Sequence, residues 1–134
     1  MSPEPRRRIL IIDDEVLLTR SFSRILERDY EVTALTSAED ALRQAVEGST
    51  WDFILCDLQM PTMDGVEFFA RLGEIEPDLC NRVTFVSGGA YTPRVQAFVL
   101  RTSRPVVDKP LSASDLRQLI ERETHHRRTG SAVD

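Results

Sequence analysis

The chain has 134 residues, of which 41% are hydrophobic and 29% are charged. This length suits a single domain with one core, and the composition argues against a disordered body. The net charge of −5 disfavours a general nucleic-acid-binding protein, because neutralising phosphates needs a concentrated basic surface. No apolar run is long enough to cross a bilayer, so we expect no membrane insertion.

Five short and mostly apolar runs predict the strands. The runs are nearly continuous rather than alternating, which is typical of strands buried on both faces of a parallel sheet. In chain order they are Ile9–Ile12, Glu31–Leu35, Phe53–Cys56, Val83–Val86 and Pro105–Val107.

Apolar residues at a spacing of three to four predict a helix after each strand. Capping residues mark several helix starts: Ser37 before the second helix, Thr92 with Pro93 before the fourth, and Ser112 or Ser114 before the fifth. The predicted helices run from Glu15 to about Arg28, from Ala38 to Glu47, from Val66 to about Glu74, from Pro93 through Leu100, and from the cap at Ser112 or Ser114 through Ile120.

This alternation of strand and helix predicts an α/β fold. Right-handed crossovers between parallel strands place helices on both faces, which gives a (βα)5 doubly wound five-stranded parallel sheet. We expect the flavodoxin-like strand order 2-1-3-4-5, which makes the first and third strands neighbours. Residues 8–123 should form the domain, between a flexible N-terminal segment at 1–7 and a flexible C-terminal tail at 124–134.

The two cysteines, Cys56 and Cys80, have neither metal-ligand spacing nor the pattern of a disulfide framework. Cys56 lies in a predicted strand, where a buried thiol is the expected arrangement. The apolar run Ile9–Ile12 ends at two aspartates, far short of a signal-peptide core. A reducing, cytoplasmic location is the compatible setting.

Five polar side chains follow predicted strands at the points where those strands should end. They are Asp13 and Asp14 after the first strand, Asp57 after the third, Ser87 after the fourth and Lys109 after the fifth. The carboxyl ends of parallel strands meet at one edge of the sheet, where open α/β sheets bind their ligands. We therefore expect three carboxylates, a hydroxyl and an ammonium group to converge there.

These residue types indicate metal-assisted phosphoryl chemistry. Three adjacent carboxylates repel one another unless a cation compensates them, and an all-oxygen ligand set favours Mg²⁺, with Mn²⁺ as the alternative. Mg²⁺ is usually completed by substrate phosphate, and a carboxylate such as Asp57 can form an aspartyl phosphate. Lys109 and Ser87 can contact phosphoryl oxygens, while Gly88 and Gly89 leave space for backbone approach.

Together these residues resemble the response-regulator receiver domains of two-component signalling. The matching segments are residues 9–15, 54–65, 85–90 and 108–110, and the likeness extends from Arg8 to about Arg122. The stretch at 87–90 with 92–94 is also similar to receivers attached to hybrid histidine kinases, which favours a fragment over a stand-alone regulator.

The resemblance implies a phosphorelay role and a ligand set. Asp57 would accept a phosphoryl group from a histidine kinase or a histidine phosphotransfer protein, and the modified domain would then contact a downstream protein whose identity the sequence does not give. Asp14, Asp57 and the backbone carbonyl of Gln59 would hold Mg²⁺ directly. Asp13 would bind the ion through water.

The resemblance also implies a conformational switch. Ser87 would shift toward the phosphate and Lys109 would pair with it, beside a cis peptide bond between Lys109 and Pro110. Receivers commonly carry Tyr or Phe three residues before the lysine, and here that position is Val106. The aromatic half of the switch is therefore absent from this chain.

Three functions stay open at the level of sequence. The first is a signalling switch that is phosphorylated from small donors as well as proteins and slowly loses the phosphate to water, without being a dedicated enzyme. The second is an aspartate-nucleophile phosphatase, against which the haloacid-dehalogenase pattern of two aspartates separated by one residue is not met at Asp13–Asp14–Glu15. The third is a degenerate receiver that only binds protein.

Overall fold

The structure is a computed structural model that describes residues 5–130, with side chains described for residues 5–125. Five strands alternate with six helices. The strands are β1 (Arg8–Ile12), β2 (Glu31–Leu35), β3 (Phe53–Asp57), β4 (Val83–Ser87) and β5 (Val106–Asp108). The helices are α1 (Val16–Leu26), α2 (Ala38–Val46), α3 (Gly65–Ile75), α4 (Pro77–Cys80), α5 (Pro93–Arg101) and α6 (Ala113–Gly130).

The strands form one parallel sheet in the order β2-β1-β3-β4-β5, which confirms the predicted fold and strand order. Strand β3 lies at its centre, where Ile12 of β1 faces Cys56 on one side and Val86 of β4 faces Asp57 on the other. All five residues of β3 and of β4 are buried. The continuous apolar runs therefore reflect strands that are covered on both faces.

Alternate residues of the strands point into two separate core layers. Leu10, Ile54 and Phe85 belong to the layer that also contains residues of α2, α3 and α5. Ile11 and Leu55 belong to the opposite layer, with residues of α1 and α6. The sheet thus carries a hydrophobic core on each side, and only its edges and strand ends reach solvent.

The predicted capping residues lie at the helix starts. Ser37 Oγ accepts a hydrogen bond from the amide of Asp40 at 3.3 Å, and Thr92 Oγ1 accepts one from Val95 at 3.3 Å. Before α6 the capping residue is Ser112, whose Oγ accepts from the amide three residues later at 3.0 Å. Each contact satisfies an amide that has no partner within its own helix.

Most strand and helix ends lie within two residues of the expected ones, and the differences at β5 and α4 have physical reasons. Strand β5 begins at Val106 instead of Pro105, because proline has no N–H to donate to the sheet ladder, although its carbonyl accepts from Phe85 at 2.9 Å. Helix α4 was not predicted. It is a single turn with Pro77 at its first position, and the carboxylate of Glu76 accepts from the amide of Asp78 at 3.4 Å.

The two ends of the domain pack more fully than their sequence patterns indicate. Arg6 Nη1 donates to the carbonyl of Glu27 at 2.7 Å. Helix α6 continues to Gly130, well beyond Ile120, where its apolar repeat ends, and Thr124 within this extension is buried. Residues 1–4 and 131–134, which belong to the segments expected to be flexible, lie outside the described residues. Among the described helices, none combines the length and apolar character needed to cross a membrane.

Candidate functional site at the carboxyl edge of the sheet

Three aspartates meet at the ends of β1 and β3. Asp13 follows β1 directly and Asp57 is the last residue of β3, so pairing of these strands places their carboxylates side by side. Asp13 and Asp57 are both buried, whereas Asp14 is exposed. Carboxylate oxygens of the three residues lie within 4.8 Å of one another. The topology therefore creates the acidic cluster that the sequence predicted.

Lys109 extends into this cluster from the end of β5. Its Nζ lies 3.0 Å from an Oδ2 oxygen of Asp13 and 3.0 Å from Oδ2 of Asp57. Its backbone amide donates to the carbonyl of Ser87 at 2.8 Å, which fixes the residue against the end of β4. One ammonium group is thus shared between the two buried carboxylates.

The second oxygen of each buried carboxylate accepts a backbone amide. Asp57 Oδ1 accepts from the amide of Gln59 at 3.1 Å, and Asp13 Oδ1 accepts from the amide of Glu15 at 2.9 Å. Both contacts form two residues after the aspartate, where the chain turns away from its strand. Each carboxylate is therefore held at a fixed angle by an amide on one side and by Lys109 on the other.

Burial governs the protonation of this site. It raises the pKa of the Asp57 carboxyl, because hydrogen bonds from Gln59 and Lys109 offset only part of the lost hydration and the charge of Asp13 adds to the shift. Burial by itself lowers the pKa of Lys109, but hydrogen bonds and charges from Asp13 and Asp57 outweigh it and raise that pKa above its usual range. Lys109 is therefore a permanent cation at neutral pH.

Ser87 closes the site on the side of β4. It is fully buried, and its Oγ accepts a hydrogen bond from the amide of Gly89 at 3.0 Å. Gly89 has a φ of +98°, a conformation that side chains rarely adopt. A Cβ at Gly88 would meet nothing within 4 Å, so the loop after β4 is open at this residue.

The turn after β3 needs one glycine for steric reasons. A Cβ at Gly65 would lie 2.9 Å from the carbonyl oxygen of Asp57 and 2.9 Å from the Cα of Leu58, and both of these are backbone atoms. Asp64, the capping residue of α3, accepts from the amide of Glu67 at 2.9 Å. Thr62 has a φ of 70°, an uncommon conformation for a β-branched residue. The Asp57 backbone thus lies directly against the start of α3.

The donor set fits a hard divalent cation. Asp13, Asp14 and Asp57 offer only carboxylate oxygens, and two of them are buried with a single ammonium group to balance them. Mg²⁺ prefers such oxygen ligands and keeps water on its open positions. The exposed Asp14 leaves that side of the cluster open to solvent and to a substrate.

Several features of the site were not expected from the sequence. Glu15 Oε1 lies 3.6 Å from Lys109 Nζ, so a third carboxylate contacts the same ammonium group. Its position directly after Asp13 and Asp14 is the signal that could have indicated this contact. The side-chain amide of Gln59 donates to the carbonyl of Ala90, which joins the loops after β3 and β4.

Two features of the implied switch lie at opposite ends of β5, where Val106 begins the strand and Lys109 follows it. The Lys109–Pro110 peptide bond is cis, as the resemblance implied. Val106 is half-buried and packs against the same core layer as Phe85, its neighbour on β4. Tyr91, in the loop after β4, packs against this layer as well. An aliphatic side chain therefore occupies the position of the usual aromatic residue.

Comparison with known sequences identifies relatives of the whole domain. A family profile described as "Response regulator receiver domain" matches residues 9–121. The response regulator receiver protein CpdR of Brucella abortus is 31% identical over 117 residues, covering 87% of this chain and 95% of CpdR. The hydrogenase transcriptional regulatory protein HoxA of Bradyrhizobium diazoefficiens is 41% identical over 70 residues, covering 52% of this chain. The chain spans only 14% of HoxA, and 31% to 32% of the protein-glutamate methylesterases of Cereibacter sphaeroides and Xanthomonas oryzae that it also matches.

Solved structures agree with this result. A CheY-like response regulator receiver domain protein from Methanospirillum hungatei is 25% identical to this chain, with a TM-score of 0.79. The superposition covers 93% of this chain and 98% of that one. The likeness therefore extends over the complete sheet and its flanking helices.

Proposed function

The chain belongs to the response regulator receiver domain family, and from this premise we propose that it is the phosphoacceptor of a two-component phosphorelay. Asp57 accepts a phosphoryl group from a phosphohistidine, with Mg²⁺ bound, and the modified domain changes its contacts with a downstream protein. The domain comprises residues 8–123 and acts in the cytoplasm. Its direct partner is a histidine kinase or a histidine phosphotransfer protein.

One observation supports this proposal above the others. Asp57 is a buried carboxylate with an ammonium nitrogen 3.0 Å away and two further carboxylates beside it. A purely structural ion pair needs one acid and one base, and burying extra like charges destabilises a fold. This excess of acidic groups at a ligand-binding edge is the arrangement that a metal-assisted acceptor requires.

The proposed reaction is an in-line transfer. An Oδ atom of Asp57 attacks phosphorus, the P–N bond to the donor imidazole breaks, and the departing nitrogen retains the electron pair and is protonated from solvent. Lys109 exchanges part of its contact with Asp57 for a phosphoryl oxygen, since an ammonium group can rotate between acceptors. The hydroxyl group of Ser87 donates a hydrogen bond to another phosphoryl oxygen.

The proposed metal ligands are those that the family resemblance implies, and three of them belong to the acidic cluster. Asp14, Asp57 and the carbonyl of Gln59 would hold Mg²⁺ directly, and Asp13 would hold it through water, as the family resemblance implies. When bound, the ion neutralises charge that develops on the phosphoryl oxygens. Asp13 keeps its hydrogen bond to Lys109 and so maintains the position of the ammonium group.

The site supports a switch better than a general phosphatase. Within the described residues the structure provides one acidic cluster on an open edge, and Gln59 and Ala90 join the two loops beside it. Hydrolysis of the aspartyl phosphate then depends on water reaching the site between these loops. We propose that the domain phosphorylates itself from small donors and loses the phosphate slowly, without a separate substrate.

Incubation with Mg²⁺ and acetyl phosphate or phosphoramidate tests this proposal. We expect one hydroxylamine-labile phosphate per chain in the unchanged protein and none in the Asp57→Asn variant. The matched control is Asp78→Asn, which makes the same chemical change at an exposed aspartate of α4. Chelation of the metal should abolish labelling.

The other outcomes identify the competing functions. Continuous release of phosphate from a chromogenic phosphate ester, dependent on Asp57, would indicate an aspartate-nucleophile phosphatase. Absence of labelling from every donor in the presence of Mg²⁺ would indicate a receiver that only binds protein. Labelling that persists in Asp57→Asn would show that another residue accepts the phosphate.

A further inference from the structure

A pocket of about 460 Å³ lies at the edge of the sheet opposite to Asp57. Its wall is formed by the segment before β1, the turn between α1 and β2, and one side of α6. Because β1 starts at Arg8 and β2 starts at Glu31, this is the edge where the parallel strands begin. We call it the amino-edge pocket. It shares no wall residue with the acidic cluster at the carboxyl edge.

Three arginines converge on the amino-edge pocket from different parts of the chain. Arg6 and Arg7 precede β1, and Arg117 lies on α6. Two carboxylates, those of Asp29 and Glu121, also line the pocket. The lining therefore carries one positive charge in excess, on a protein whose net charge is −5. A local positive region of this kind attracts anions.

Each of the two carboxylates already has its own cationic partner. Glu121 Oε2 accepts a hydrogen bond from the hydroxyl of Tyr30 at 2.6 Å and forms an ion pair with Arg7 Nη1. Asp29 Oδ2 forms an ion pair with Arg117 Nη1. Burial and the neighbouring Glu121 raise the pKa of Tyr30 to about 12, so the phenol keeps its proton and this hydrogen bond at neutral pH.

The arginines have more donors than these partners use, since a guanidinium group carries five N–H donors. Arg6 Nη1 donates to the carbonyl of Glu27 at 2.7 Å, and within the described residues Arg6 forms no ion pair. Arg7 Nε is buried and has no hydrogen-bond partner among the described residues. Buried donors without acceptors destabilise a fold. An anion beside Arg6 and Arg7 would therefore supply acceptors that the protein itself lacks.

Arg117 is held in place before any ligand binds. Its Nη2 donates to the carbonyl of Ile25 at 2.9 Å, and its Cζ lies 5.9 Å from the centre of the Tyr30 ring. Together with the ion pair to Asp29, these contacts fix the plane of the guanidinium group. A fixed side chain loses little conformational entropy on binding a ligand, which favours affinity.

We propose that the amino-edge pocket binds the phosphate group of a small organic phosphate, held by Arg6, Arg7 and Arg117. A tetrahedral phosphate presents oxygens in several directions and so suits guanidinium groups from separate elements, whereas a carboxylate matches a single fork. The volume of the pocket falls within the range of about 300 to 1,000 Å³ that is typical of small-molecule sites. The pocket therefore has room for more than the phosphate group. This inference does not depend on the proposed function of Asp57.

Titration with ADP and with pyrophosphate tests the site, in buffer without divalent metal so that the acidic cluster at Asp57 repels both anions. Calorimetry measures Kd, and amide chemical shifts locate the bound ligand. The test variant combines Arg6→Gln with Arg117→Gln. The matched control combines Arg43→Gln with Arg71→Gln, which removes two ion-paired arginines from α2 and α3 and so loses the same charge.

We expect the Kd for ADP to rise at least about tenfold in the test variant, because two charged hydrogen-bond donors are lost. The control variant should bind as the unchanged protein does. Shifts should be largest for the amides of Arg7, Tyr30 and Glu121. Arg6→Gln alone should also weaken binding, and it removes only one side-chain contact to a carbonyl, so it tests the site even where loss of Arg117 disturbs the fold.

Several results would overturn the inference. They are no binding of either probe to the unchanged protein, equal binding by the test and control variants, and shifts confined to residues around Asp57. Equal competition by sulfate and by chloride at the same ionic strength would reduce the effect to screening of exposed charge. Binding to phosphatidylglycerol vesicles that requires Arg6 and Arg117, without binding of ADP or pyrophosphate, would replace the small organic phosphate by a lipid headgroup. Labelling of Asp57 by acetyl phosphate is measured separately, so failure of the proposed function is distinguished from failure of this one.

Discussion

At the residue scale, Asp57 combines properties that favour chemistry over stability. Its carboxylate is buried, and it shares the ammonium group of Lys109 with Asp13 at equal distances of 3.0 Å. Burying two carboxylates with one ammonium group leaves a charge uncompensated, which is unfavourable for folding. The ionised Asp57 therefore destabilises the folded state relative to a neutral residue of the same shape.

This imbalance gives a prediction for stability in the absence of metal. Asp57→Asn should raise the free energy of unfolding by about 1 kcal/mol at neutral pH, because it removes a buried charge and leaves Lys109 paired with Asp13. The pKa of Asp57 is raised from its ordinary value of 3.8, so the folded state binds this proton more tightly than the unfolded state does. The stability contributed by this group is present below pH 3.8 and is lost as pH rises through the raised pKa.

Urea unfolding of the unchanged protein and of Asp57→Asn across the acid range measures this effect. The difference in free energy of unfolding between Asp57→Asn and the unchanged protein should grow as pH rises from about 4. It should become constant above the raised pKa of Asp57. Asp78→Asn makes the same change at an exposed position and is the matched control. A variant less stable than the unchanged protein at neutral pH would show that the Lys109 contact outweighs the burial of charge at Asp57.

At the element scale, the strand ends and the turns after them create the site. Asp57 ends β3, the chain turns through residues 58–64, and α3 then begins at Gly65 against the backbone it has just left. A hydrogen bond from the amide of Gly65 to the carbonyl of Leu58, 3.0 Å long, closes this turn. The position of α3 is thus directly linked to the position of the Asp57 carboxylate.

Gly65→Ala tests this link. Its Cβ would approach two backbone atoms at 2.9 Å, and neither can move without shifting β3 or α3. We expect a loss of about 2 to 4 kcal/mol in the free energy of unfolding, the range of large steric effects in a packed core. Labelling by acetyl phosphate should also slow, because the displaced backbone carries the acceptor.

Gly73→Ala is the matched control, since it lies in the same helix. Its Cβ would meet only the Sγ of Cys80 at 3.6 Å, an ordinary contact. Alanine is a better helix former than glycine, so this variant should gain up to about 1 kcal/mol. If both variants lost the same free energy, the cause at Gly65 would be a general property of α3 and not its close approach to β3.

The elements that could be predicted are those with strong local signals. Apolar runs located all five strands, and Ser37 and Thr92 located two helix starts, because burial and capping depend on residues close together in the chain. Helix α4 is a single turn, too short for an apolar repeat to reveal it. The apolar repeat of α6 ends at Ile120, so no local pattern indicates the further turns of the helix, in which Thr124 is buried.

The features of the site also divide into those that the sequence could predict and those that it could not. The convergence of Asp13, Asp14, Asp57 and Lys109 follows from strand order, since all of them lie at or just after the carboxyl ends of strands in one parallel sheet. The sharing of one ammonium group between two carboxylates could not be predicted, because it depends on the direction of the side chains. The contact of Glu15 with Lys109 depends on the first turn of α1 in the same way.

At the scale of the whole molecule, one sheet lies between two hydrophobic core layers, and its strands contribute residues to both. The layer on one side contains Trp51, the only tryptophan of the chain, and the opposite layer contains Tyr30. Strands β1, β3 and β4 contribute alternate residues to both layers. Neither layer can lose its strands without exposing the other, so the domain should unfold as one cooperative unit.

The bound cation should therefore stabilise both layers equally, although its ligands lie at one edge of the sheet. We expect the fluorescence of Trp51 and the far-UV circular dichroism of the helices to give the same urea midpoint without metal. Mg²⁺ at about 100 times its dissociation constant should move both midpoints together, by about 2.7 kcal/mol of added stability, with an unchanged slope. NaCl at matched ionic strength is the control for screening, and Asp57→Asn should lose most of the gain because one carboxylate ligand is missing. A Mg²⁺-dependent shift seen by circular dichroism but not by Trp51 would show that the two layers unfold separately, and that the site is coupled to only one of them.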